Sequence, residues 1–245
     1  RSSNYKQWAL NSLSKELSAP VLTLYAKYMD WQHLQRENVR LLSQNRNLLN
    51  IAFNHIIEPS EETSVYHGDS LLFSYHTAKV VENTVTRRNN YIILDKGYND
   101  GIRADMGVVS SEGVVGIVKD VSPNFSIALS LLHSQFSIFI KINKSDASGV
   151  LTWDGLDIRY AQITNLAHTE NIHVDDTVVT QHSLLFPPDY PIGVISSISP
   201  ETQGGYFVLR VKLLSSFNQL RNVFIIEQKY SEELNNLMER TNTNE

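Results

Sequence analysis

The chain has 245 residues, room for a rod plus one or two small globular domains. Hydrophobic content of 42% and charged content of 19% exclude a chain too polar to fold. A formal charge of −5 without any dense Lys/Arg run argues against nucleic acid as the main partner, and zero cysteines exclude disulfides, thiolate metal sites and a Cys nucleophile. No stretch approaches the roughly 18 consecutive apolar residues of a membrane span, and no basic-then-apolar signal opens the chain. The first residue is Arg1 and not Met, so the sequence is expected to be a fragment, with a membrane anchor one option for what precedes it.

Residues 1–19 carry a weak apolar pattern at Trp8, Leu10, Leu13 and Leu17, and are read as a short helix or a frayed, membrane-proximal approach to a rod. Ser18-Ala19-Pro20 marks a helix start, because Pro at the first helical position forfeits no useful N–H. Over 20–58, Val21, Leu24, Tyr28, Trp31, Leu34, Asn38, Leu41, Asn45, Leu48 and Ala52 recur at steps of three and four, the spacing of a coiled-coil seam. The Trp31–Leu34 step repeats a three and predicts a local stammer. Such a helix is about 55 Å long and is expected to bury its seam against a second copy. Leu24, Tyr28, Trp31, Leu34, Asn38, Leu41, Asn45 and Leu48 are the expected dimer contacts, with Asn38 and Asn45 pinning register. Leu42, Leu49 and Ile56 widen the stripe, which suits the competing arrangement of a helix folded onto its own globular domain. Glu58 precedes Pro59 and ends the helix, and 59–74 is a polar linker.

From there the pattern turns strand-like. Short runs rich in Val, Ile, Phe and Tyr are punctuated by Gly, Asn and Asp. They predict strands at 75–86, 91–95, 106–110, 113–121, 126–132, 136–142, 149–152, 157–163, 177–180, 191–198, 206–214 and 222–227. Asn99-Asp100-Gly101 and Glu112-Gly113 are turn sequences, and Ile138, Ile140 and Ile142 alternate with Ser137, Phe139 and Lys141 as a half-buried strand requires. So many short strands exceed one small barrel. The expected fold class is mainly β: an N-terminal coiled-coil helix followed by two small β-barrel subdomains. Residues 229–245 read as a polar tail.

No catalytic constellation emerges. The histidines (His33, His55, His67, His76, His133, His168, His173, His182) form no HExxH pair, and His168 with His173 is a weak metal candidate. Gly68-Asp69-Ser70 superficially resembles a serine nucleophile loop, but it lies ahead of the β-region and leads into Leu71, and no GxSxG elbow exists. Gly113-Val114-Val115-Gly116 lacks the third Gly and the Lys of phosphate loops. Asp175-Asp176 and Asp154 with Asp157 read as acidic turns. No cofactor and no metal are expected. Tyr98, Phe125, Leu184, Leu185 and Phe186 are apolar groups in turn sequences, candidates for a partner surface or for ordinary edge packing.

A set of motifs in order does carry a resemblance. Asp95-Lys96-Gly97-Tyr98-Asn99-Asp100-Gly101-Ile102, Met106-Gly107-Val108-Val109 and Gly113-Val114-Val115-Gly116-Ile117-Val118 come first. Trp153-Asp154-Gly155, Asp176-Thr177-Val178-Val179-Thr180, Phe186-Pro187 and Pro191-Ile192-Gly193-Val194-Ile195 follow. Together they resemble the rod-shape-determining MreC family. Three departures from its pattern are visible: Asp175 and Asp189 stand where Gly is usual, and Gln181-His182 replaces Ser-Gly, which puts local turn geometry in question. The resemblance implies a single-pass protein of the bacterial inner membrane whose residues here are periplasmic. It also implies two barrels, one inserted in the other, drawn at 75–107 with 185–228 and at 108–184. The implied role is a non-enzymatic, dimeric scaffold of the elongation machinery (the elongasome) that regulates peptidoglycan synthesis. Implied partners are a second copy, with filaments an extension of it, a class B penicillin-binding transpeptidase, MreD, the rod glycosyltransferase and MreB. A barrel-type serine hydrolase and a coiled-coil adaptor of a secretion or efflux assembly remain the alternatives.

Overall fold

A computed structural model describes residues 30–53, 73–143, 145, 147–166, 172–181, 183, 185–200, 207–230 and 233. The chain divides into two compact units, residues 1–45 and 46–245. Residues 30–53 are continuously helical (α1), consistent with a segment free of Gly and Pro, and the Glu37–Arg40 ion pair at 2.8 Å spans one turn of it. The remainder of the expected rod, with Leu24 and Tyr28, the 1–19 segment, the linker up to residue 72 and residues 231, 232 and 234–245 of the tail lie outside the described residues. Trp31, Leu34, Leu41 and Leu48 expose 49–65% of their surface, and Asn38 and Asn45 are also exposed, whereas Leu42 and Leu49 are half-buried. No described helix is long and apolar enough to cross a membrane.

The β-region holds twelve strands among the described residues. They are β1 Phe73–Asn83, β2 Asn89–Leu94, β3 Gly107–Val109, β4 Val114–Val121, β5 Ser126–His133, β6 Ser137–Ile142, β7 Ser148–Thr152, β8 Tyr160–Leu166, β9 Thr177–Thr180, β10 Pro191–Pro200, β11 Phe207–Leu213 and β12 Asn222–Gln228. Each overlaps an expected run. Burial alternates along β2, β6 and β11, so Ile92 and Leu94, Ile138, Ile140 and Ile142, and Leu209 and Val211 point inward while Phe139 faces out.

The strands close two barrels of antiparallel pairs, β1-β12-β3-β4-β5-β2 and β10-β11-β8-β7-β6-β9. The second is inserted between β5 and β12 of the first. The barrels divide the chain at other points than expected: β3, β4 and β5, expected in the inserted barrel, belong to the first, and β10 and β11, expected in the first, belong to the second. The reason is pairing at a distance. β12 lies between β1 and β3, with Phe73 opposite Gln228 and Phe224 opposite Val109, so the last strand captures the third. β10 pairs with both β9 and β11, which seals the second barrel. The crossover is the short turn between His133 and Ser137, where Phe136 is buried.

The barrels meet in a buried junction. Tyr190 Oη donates to Ser110 O at 2.7 Å, the hydroxyls of Ser110 and Ser215 lie 2.9 Å apart, and Asn83 Nδ2 donates to Phe217 O at 2.6 Å. A Cβ on Gly107 would collide with Leu185 O and press on the Phe186 ring, so only Gly lets these segments touch. Phe53, the last described residue of α1, packs against Tyr190 at the same junction, with ring centroids 4.8 Å apart.

Candidate functional site

Tyr98 opens a single 3-10 turn, Tyr98–Asp100, and Phe125 ends the turn between β4 and β5. The structure brings the two together. Tyr98 N donates to Ser122 O at 3.0 Å and Asn99 N to Pro123 O at 3.2 Å. Gly97 permits the approach, since any Cβ there would strike the Ser122–Pro123 backbone. Asp100 accepts from Lys96 Nζ at 2.6 Å and from Gly97 N at 3.1 Å, which fixes the turn and holds its carboxyl below the usual range. Both aromatic rings remain exposed on this stiffened end of the first barrel.

Of the 184–186 group, Phe186 is not available as a surface. Phe186 is fully buried (0% exposed) against Gly107, Leu185 is half-buried at the same junction, and Leu184 lies outside the described residues. A Phe-Pro-Pro sequence reads as an exposed turn, but here the ring fills the space between two barrels, which local sequence does not specify. Sequence reasoning also passed over Tyr91 on β2 and Ile127 on β5, both exposed. The signal available for them was alternation: residues 89–94 and 126–132 place apolar side chains on both faces of their strands.

For hydrolytic chemistry, Ser74, His76 and Glu227 come closest. His76 Nε2 lies 2.9 Å from Glu227 Oε2, and Ser74 Oγ donates to the same oxygen at 3.0 Å. Part burial alone would raise the Glu227 carboxyl; the bonds from His76 and Ser74 outweigh it and hold the group below its usual range. A triad needs the imidazole between hydroxyl and carboxylate, whereas here the carboxylate stands between the other two. His133 is buried, and desolvation lowers its pKa; Nε2 lies 3.1 Å from Tyr91 Oη. No group of three His, Cys, Asp or Glu able to hold a metal occurs among the described residues. His168 and His182 lie outside them, as does Gly68-Asp69-Ser70.

Two of the three departures from the family pattern, Asp175 and Asp189, take a backbone that suits glycine. Asp175 and Asp189 both adopt positive φ, 72° and 63°. Asp tolerates this region better than most side chains because its carboxylate can bond locally, so it can stand where Gly is usual. Asp189 also reaches Lys141 Nζ at 2.7 Å. Around the Trp153-Asp154-Gly155 turn runs an open groove of about 480 Å³, lined by Val85, Thr86, Arg87 and Arg88 from the first barrel and by Trp153, Asp154, Gly155, Leu156 and Ile158 from the second.

Residues 80–227 match the family model described as rod shape-determining protein MreC, barrel core. The cell shape-determining protein MreC of Escherichia coli (strain K12) is 27% identical over 139 residues, covering 56% of this chain and 38% of that protein. The chain thus spans well under half the length of that relative. The crystal structure of MreC from Pseudomonas aeruginosa superposes with a TM-score of 0.58 at 22% identity, over 62% of this chain and 98% of that one. MreC in a complex with Penicillin-Binding Protein (PBP2) from Helicobacter pylori gives a TM-score of 0.52 at 17% identity, over 64% and 99%. These structures share the two-barrel fold, and the relatives are named for cell shape and not for a reaction. The family match spans more than half of the chain, both barrels included: this protein belongs to the MreC family of rod shape-determining proteins.

Proposed function

We propose that the chain is the extracytoplasmic part of a non-enzymatic, dimeric scaffold that binds and regulates cell-wall-synthesising enzymes of the elongation machinery. The observation that carries the reading is the family match over both barrels, on a β-body where the nearest Ser–His–Glu grouping has its carboxylate in the wrong place for nucleophilic catalysis. A solved neighbour is a complex with a penicillin-binding protein, which supports a class B penicillin-binding transpeptidase as one partner here. MreD, the rod glycosyltransferase and MreB are the further partners of the proposed assembly at the inner membrane.

Dimerisation is assigned to α1. Trp31, Leu34, Leu41 and Leu48 stay exposed in the single chain, and apolar groups at coiled-coil spacing are covered by pairing with a second helix. The test is capture of the cognate transpeptidase by the immobilised chain, run beside labelling with a serine-reactive phosphonate. Capture without labelling is the expected result; labelling of Ser74 or any other serine would return the hydrolase reading.

A further inference from the structure

Barrel exteriors facing water carry polar groups, and most of this molecule obeys that rule: Ser74, His76 and Lys79 face out on β1, and Arg210 and Lys212 on β11. The first barrel breaks it along β2, β5 and β4. Tyr91 lies opposite Leu129, Ile93 opposite Ile127, and Leu129 opposite Ile117, and all of these side chains are exposed or half-buried. Directly opposed residues on one face touch, so the pairs form one continuous apolar surface across three strands. Phe125 and Tyr98, fixed by the backbone bonds between their turns, extend it at one end.

Exposed carboxylates flank this surface, with Lys119 beside one of them at the bulge of β4. Glu82 stands opposite Ile93 on the β1 side, and Asp120 opposite Ile127 on the β4 side. Neither carboxylate has an ion pair among the described residues.

From this geometry we infer that the outer face of β2–β5–β4 is the docking surface for the transpeptidase, which meets it with an apolar centre flanked by basic groups. The inference rests on the scaffold reading above and adds the place and the chemistry of contact. Two observations select a different protein over a second copy. A two-fold contact would set this face against itself and bring its flanking carboxylates together. In addition, Tyr91, Tyr98, Phe125 and Ile127 leave 39–58% of their surface uncovered, on the order of 400 Å² together, about half of what one partner contributes to a stable interface. A face of that size fits an interaction that is made and released.

The experiment measures binding of the purified periplasmic part of the cognate transpeptidase to the full chain, with solution mass and thermal midpoint recorded for every variant. Phe125→Ser with Ile127→Ser removes exposed apolar groups and is expected to weaken binding by at least about tenfold. Glu82→Gln with Asp120→Asn keeps the bond from Val121 N to the Asp120 side chain, and is expected to slow association and flatten its dependence on salt. Mass and midpoint should stay at the parent values. Parent-like binding by both variants would overturn the docking surface and leave the scaffold reading standing. Absence of binding by the parent chain would overturn both. A fall in solution mass for either variant would give the face to a second copy, which also overturns the inference.

Discussion

Asp175 and Asp189 show how a single backbone requirement outlives the residue that usually meets it. Both sit at positive φ where glycine is the usual solution, and both precede or lie within turns that feed strands of the second barrel. The requirement belongs to the turn, so Asp175→Gly should leave stability within about 0.5 kcal/mol, because relief of left-handed strain offsets the extra freedom of the unfolded chain. Asp175→Val should cost about 1–2 kcal/mol, and a urea titration of the two variants reads the contrast directly. His133 makes a second residue-scale prediction. Burial holds its imidazole neutral and lowers its pKa from the ordinary 6.5, so the unfolded chain binds the proton more readily than the folded one. The stability it contributes is complete above about pH 6.5 and is lost as pH falls through the lower folded value. His133→Gln should flatten the thermal midpoint between about pH 7 and pH 5.5. Asp157 acts further down. Bonds from the Arg159 side chain and backbone bring its carboxyl from 3.8 to about 2, so its contribution is present above about pH 4 and disappears only as pH approaches 2.

At the scale of elements, the junction is where two separately closed barrels become one body. Phe186 enters it from the segment before β10, Gly107 from the start of β3, and Tyr190 reaches Ser110 from the inserted barrel. Phe186→Ala removes a fully buried ring between rigid walls, and should lower unfolding free energy by about 3–5 kcal/mol in chemical denaturation. A loss under about 1 kcal/mol would mean the barrels do not depend on this contact. The same segment explains why Phe186 was misplaced by its sequence. Its neighbours in space are Gly107 and Leu185, and the first of these is far away along the chain.

For the whole molecule, the decisive quantity is mass in solution. If α1 pairs through its exposed seam, Leu41→Asp with Leu48→Asp should halve the mass seen by light scattering and leave the β-signal in circular dichroism unchanged. An unchanged mass would move self-association away from the helix. Half-burial of Leu42 and Leu49 fits the wider stripe that suits the competing arrangement, and Phe53 packs on Tyr190 of the β-body.

By itself the sequence determined what depends on near neighbours. Helix periodicity, the alternation of Ile138, Ile140 and Ile142, the turn residues and the order of the strands are all local, and each is visible within a dozen residues or so. The motif order also carried the family resemblance, which the match over residues 80–227 bears out. Tertiary structure alone decided which barrel each strand joins, because membership is settled when β12 inserts between β1 and β3, pairings that span more than 100 residues. It also decided that Phe186 is core, that Tyr98 and Phe125 share one end of a barrel, and that apolar residues on β2, β5 and β4 line up as a single surface. A strand's own sequence fixes which side chains point the same way; only its pairing partners fix what lies beside them.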